Sequence, residues 1–144
     1  MKFEFVKRKM ATFYKITEDS ISKAEEAIKI KLPKELVKFY NEIGCGFLGS
    51  SSGTYVNRLM DPISICDFRL RQDDYEFYPD IELYDNYEDG KIVFFEQSLE
   101  ALFSIEVTDK ERSKIYYYDL VIANSLEEFL RKMVEDELYY TKIE

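Results

Sequence analysis

Residues 91–119, KIVFFEQSLEALFSIEVTDKERSKIYYYD, decide the fold class. Three runs within this stretch, KIVFFEQ (91–97), ALFSIEV (101–107) and SKIYYYD (113–119), are rich in β-branched and aromatic residues and have strand length. The polar TDKER (108–112) between the second and third reads as a hairpin loop. An antiparallel meander is therefore expected. On its far side, SLEEFLRKMVEDELYY (125–140) is the clearest helix of the chain. Ser125 and Glu128 have the spacing of a capping box, in which each side chain serves an N–H of the first turn. Leu126, Phe129, Leu130, Met133 and Val134 make its apolar face.

On the near side of the meander the texture is helical. ITEDSISKAEEAI (16–28) opens with Thr17 as N-cap and places Glu18 and Asp19 in the first turn, where the helix dipole favours negative charge. Ile21, Ala24 and Ile28 recur at helical spacing. LPKELVKFYNEIG (32–44) predicts a second helix, with Pro33 at its first position. Leu36, Phe39, Tyr40 and Ile43 form one stripe, and Gly44 ends it. CGFLGSSSGTY (45–55) is loop by composition, with a short strand at Phe47 and Leu48. MDPISICDFRL (60–70) restarts a short helix, with Asp61 as N-cap and Pro62 as first residue. Helices first, antiparallel strands next and a closing helix give an α+β class. No repeat or linker divides residues 1–144, which read as one domain.

The segment DDYEFYPDIELYDNYEDG (73–90) has neither period, and Pro79 argues against a central strand there. Its eight carboxylates, Asp73, Asp74, Glu76, Asp80, Glu82, Asp85, Glu88 and Asp89, meet no basic residue, and five aromatic residues are threaded among them. The chain of 144 residues carries a net charge of −9, unevenly spread. Residues 1–38 sum to +4, residues 39–90 to −8 and residues 91–144 to −5. Direct binding to nucleic acid needs the opposite sign, because Lys and Arg supply the affinity for phosphate. A basic partner suits the middle third.

Several chemistries fail on residue inventory. The sequence contains no His, which removes the commonest general base and the commonest zinc ligand. Cys45 and Cys66 stand alone without CxxC spacing, and the amino-terminal MKFEFVKRKM lacks an apolar secretory core. Both fit a reducing, cytoplasmic setting. No apolar run approaches the length of a membrane span. Gly44-x4-Gly49 faintly resembles a phosphate loop, but Ser50 stands where its Lys belongs and a helix, not a strand, precedes it. A catalytic carboxylate pair depends on a spatial separation that the sequence does not give. A calcium loop counted from Asp85 places Asp89, Gly90, Ile92 and Glu96 at the fifth, sixth, eighth and twelfth positions. Tyr87 stands at the third, however, where a ligand is required, and residues 91–96 read as strand. No cofactor is expected. The bland reading of 73–90 is a solvated loop with a few aromatic side chains tucked into the core. The sharper reading is a binding loop, since long ordered loops in compact domains often bind. In that reading Asp73, Asp74, Glu76, Asp80, Glu82 and Asp85 steer a cationic partner, and Tyr75, Phe77, Tyr78 and Tyr84 supply contact area.

The order LPKELVKFYNEIGCGF, GKIVFF, KIYYYD and VIANSLEEFLRKMV is similar to the SUKH superfamily of fungal cell-wall synthesis regulators and bacterial immunity proteins. Leu32-Pro33 with Phe39 and Tyr40, the Gly44–Gly46 turn, the Asp89-Gly90 strand entry and the Ser125–Leu130 helix start carry the resemblance, over residues 16–138. It implies an α+β domain with a curved, mainly antiparallel sheet flanked by helices. It also implies a non-enzymatic immunity protein that neutralises a cognate toxin by tight binding. A basic nuclease domain fits such a partner. The alternative within the same superfamily is an intracellular scaffold or regulatory adaptor with a non-toxin partner.

Overall fold

A computed structural model describes residues 2–143. In chain order its strands and α-helices are β1 (Thr12–Tyr14), α1 (Glu18–Ile28), α2 (Lys34–Glu42), β2 (Cys45–Phe47), β3 (Arg58–Leu59), α3 (Pro62–Arg69), β4 (Lys91–Ser98), β5 (Ala101–Glu106), β6 (Ile115–Tyr117), β7 (Leu120–Ala123) and α4 (Leu126–Glu135). The seven strands form one open antiparallel sheet in the order β1-β2-β3-β4-β5-β6-β7. The α+β class and the antiparallel meander are as expected.

The centre of the sheet is the β4–β5 pair, with Val93 opposite Ser104 and Phe95 opposite Phe103. Ile92 to Phe95 are all buried in succession, so this strand is covered on both faces. The pairing slips between Val93 and Phe95, which leaves Phe94 as an extra residue. As a result Phe94 and Phe95 both meet Phe129 of α4, at ring-centroid distances of 5.8 and 5.1 Å. Phe103 joins them at 5.5 Å from Phe129. This aromatic cluster seats α4 on the sheet and explains the apolar stripe of its sequence.

Helix α1 lies beside α3. Thr17 and Asp61 cap these helices as expected, accepting from the backbone N–H of Ser20 and of Ser64. Pro33 is the N-cap of α2, one position outside the helix, and not its first residue as expected; Lys34 takes that place. Ser125 accepts from the N–H of Glu128, but the return arm of the expected capping box is replaced by an ion pair between Glu128 and Lys132 at 3.1 Å.

Strands β1, β3 and β7 escape the sequence reading. They hold three, two and four residues, too few to display a period. The trace of β1 in the sequence is Gly44 and Gly46, which flank Cys45 at the entry to β2. Their φ angles are +112° and +146°. A Cβ at Gly44 would lie 2.0 Å from the Tyr14 carbonyl oxygen, and one at Gly46 would lie 2.2 Å from that of Thr12. These glycines therefore admit β1 against β2, beyond stopping a helix.

Candidate functional site

The acidic segment leaves α3 and returns to the sheet at β4. Two 3-10 turns, Asp73–Tyr75 and Ile81–Tyr84, give it local order. Asp73 and Asp80 adopt left-handed backbone conformations, with φ of 53° and 57°, which the short polar side chain of Asp tolerates better than most. Its aromatic residues divide by direction. Tyr75 and Tyr84 are each only 4% exposed, and both meet the buried Phe68 of α3 edge-on at 5.1 and 5.8 Å. Tyr78 is half-buried, 6.3 Å from the same ring, and donates to Glu96 Oε2 at 3.0 Å. Phe77 points out, at 88% exposure.

This corrects the expected contact surface. Tyr75 and Tyr84 are core residues that fasten the segment, because a large ring gains more from burial against Phe68 than from water. Phe77 remains outward-facing, and Leu83 joins it at 52% exposure.

Arginines fasten the segment electrostatically. Arg71 donates to Asp85 Oδ1 at 2.9 Å, to Glu88 Oε2 at 3.0 Å and to the Phe68 carbonyl at 2.6 Å. Its guanidinium also lies 4.9 Å from the centre of the Phe68 ring. Arg69 donates to the carbonyls of Glu88 and Lys91 at 3.0 and 2.8 Å. Glu88 is buried, and burial pushes its carboxyl above the usual range against the pull of Arg71. Asp85 and Glu88 are thus committed to the protein itself. Asp73, Asp74, Glu76, Asp80, Glu82 and Asp89 are exposed. Among the described residues none of these six forms an ion pair.

The calcium spacing does not become a calcium loop. Asp85 is held by Arg71, while Glu96 lies on β4, 3.7 Å from Arg58 and bonded to Tyr78. Gly49 and the serines after it do not serve as a phosphate loop, Ser50 standing where its Lys belongs. They are tied instead to the carboxyl-terminal tail, where Glu137 Oε2 accepts from Ser52 Oγ at 3.0 Å and from Ser51 Oγ at 3.3 Å. Asn57 donates to Glu137 Oε1 at 2.8 Å and to the Gly49 carbonyl at 3.1 Å. Gln97 donates to the Glu137 carbonyl at 2.7 Å and accepts from the Tyr140 hydroxyl. Burial alone would raise the Glu137 carboxyl, but hydrogen bonds from the serine loop and Asn57 hold it below its ordinary value. The network is structural: every donor and acceptor named is bonded to another within the protein.

The molecule therefore presents free carboxylates and outward apolar side chains on a segment fixed from beneath by aromatic and arginine anchors. No helix among the described residues is long and apolar enough to cross a membrane. Over 142 residues the chain is 51% identical to "Immunity protein YxxD" of Bacillus subtilis (strain 168), covering 97% of this chain and 95% of that protein. The family model described as SMI1-KNR4 cell-wall matches residues 18–130, a span that includes α1, all of the sheet beyond β1, the acidic segment and the seat of α4. The chain belongs to the SMI1-KNR4 cell-wall family of the SUKH superfamily.

Proposed function

We propose that this protein is an immunity protein, which binds and neutralises a cognate toxin without doing chemistry of its own. The observation that carries this reading is the set of carboxylates at Asp73, Asp74, Glu76, Asp80 and Glu82, exposed and unpaired on an anchored segment. Water and salt do not require such an arrangement, whereas a cationic partner is attracted to it and oriented by it. The name of the Bacillus relative supports a toxin as that partner. A nuclease domain is the partner class of choice, since an enzyme that grips phosphate displays Lys and Arg. Covering that basic surface would block substrate entry. The site of action is the cytoplasm, where a nuclease finds its substrate.

The family's cell-wall description favours a second reading, an adaptor for a non-toxin partner. The two diverge in a protection assay. Cells expressing the toxin domain encoded beside this gene should survive when the wild-type protein is present. They should die when Asp73, Asp74, Glu76, Asp80 and Glu82 are replaced together by Lys, while the variant's circular dichroism and melting temperature stay near wild type. Undiminished protection by that variant would remove the acidic segment from the interface. Absence of protection by the wild-type protein against any adjacent toxin would favour the adaptor.

A further inference from the structure

Beside the acidic segment lies a cleft of about 320 Å³. Its walls are Leu83 and Leu99, exposed by 52% and 60%. Its inner side is formed by Tyr84 and Tyr118, whose rings stack at 5.1 Å with planes 16° apart. Asp80 and Glu100 add carboxylates, and among the described residues neither forms an ion pair. Leu99 and Glu100 are the two-residue link between β4 and β5. Such links favour Gly, Asn or Asp, and neither residue here has a positive φ. Folding of the hairpin therefore gives no reason for a leucine at its tip, where it holds 60% of its surface in water. An apolar slot floored by aromatic rings and flanked by two carboxylates has a specific complement. It suits an aliphatic stem that ends in a planar cation, since long basic side chains bury their methylenes along apolar surface and keep the charge at a polar end. Arg fits better than Lys, because its flat guanidinium both stacks on rings and bonds two carboxylates.

We infer that this cleft receives one arginine side chain of the toxin, as the anchoring contact of the complex. The inference rests on the immunity reading for its occupant. The surrounding acids then set the approach, and the cleft sets the residence time. A small central pocket filled by Arg or an aromatic side chain is where binding energy concentrates in protein interfaces.

Two measurements test the cleft, one of them without any toxin. In the first, N-acetyl-arginine amide is titrated into 15N-labelled protein. Saturable shifts are expected at the amides of Asp80, Leu83, Leu99 and Glu100 in the millimolar range. They should vanish with the neutral isostere N-acetyl-citrulline amide and in the Leu83→Ala/Leu99→Ala variant. No saturable shift, or equal shifts with citrulline, overturns the inference whether or not the protein is an immunity protein. In the second, dissociation from the adjacent toxin domain is timed. Asp80→Asn/Glu100→Gln and Leu83→Ala/Leu99→Ala are each expected to speed dissociation at least tenfold. One toxin arginine changed to Ala should reproduce that effect and remove further sensitivity to the cleft variants. Dissociation within twofold of wild type for both variants overturns the inference while leaving the broader interface in place. A wild-type protein that binds arginine but no toxin refutes the proposed function and leaves the cleft's chemistry standing.

Discussion

Glu35 has no exposed surface, yet it is a carboxylate in the first turn of α2. Its Oε1 accepts from the N–H of Ser113 at 3.0 Å and of Leu126 at 2.8 Å, and its Oε2 accepts from the N–H of Glu127 at 3.1 Å. Leu126 and Glu127 open α4, so one side chain satisfies donors that helix geometry leaves orphaned and places negative charge at the positive end of the dipole. Lys2 stands 3.7 Å away. In the sequence Glu35 reads as an ordinary first-turn acid, because its real partners lie 78 to 92 residues along the chain. Replacing Glu35 by Ala strands three backbone donors and should cost about 2–4 kcal/mol in urea unfolding. Gln, which keeps one acceptor oxygen, should cost less. The aromatic residues of the acidic segment make a paired test. Tyr84→Ala should lower stability by about 3 kcal/mol, as expected for emptying a buried aromatic site. Phe77→Ala should leave it within about 0.5 kcal/mol, since that ring packs against nothing that folding requires. If Phe77 belongs to the interface, its loss shows instead in toxin affinity. The binding-loop reading of the sequence placed all four aromatics on the outside, whereas burial of some of them was the bland alternative. Alternating acids and rings have no period that tells an inward from an outward side chain, and the anchoring Phe68 lies outside the segment.

At the scale of elements, the long features were legible. Helices announced themselves through caps and stripes, and β4, β5 and β6 through β-branched and aromatic runs. Strands β1, β3 and β7 were not legible, since their pairing is decided by neighbours in space. The serine loop at 49–55 likewise looks flexible by composition, but Glu137 ties it to the tail after α4. That tie has a pH signature. The carboxyl of Glu137 is depressed in the folded protein, so its contribution is complete above the unfolded value near 4.5. It disappears as pH falls through the lower folded value. In wild-type protein the urea midpoint should fall on acidification through this window. Glu137→Gln should be less stable at pH 7 and should show a shallower acid dependence. A variant as acid-sensitive as wild type would place the dependence on other carboxylates.

At the scale of the whole molecule, charge is unevenly spread along the chain, with residues 1–38 basic and residues 39–90 acidic. Association with a basic toxin should therefore slow by roughly tenfold or more between low salt and 0.5 M salt, with dissociation much less affected. Stopped-flow mixing at several ionic strengths separates the two rates. A salt-independent association rate would refute steering by the acidic face. Net charge and its distribution were readable from the sequence. Which carboxylates were free was not. Arg71 takes Asp85 and Glu88 out of the set, and nothing in the spacing of those residues distinguishes them from Asp80 or Glu82.

The sheet's strand order carries a consequence for how this surface comes into being. Strands β4 to β7 join through short links, so their pairing closes small loops and can form early. Joining β3 to β4 must close a connection of more than thirty residues, a larger entropic cost that is met later. The acidic segment lies inside that connection. Pulse-labelled amides of residues 91–123 should gain protection before those of 12–14 and 45–47. A refolding chain caught between these steps would hold a native-like meander and still be unable to recognise its target.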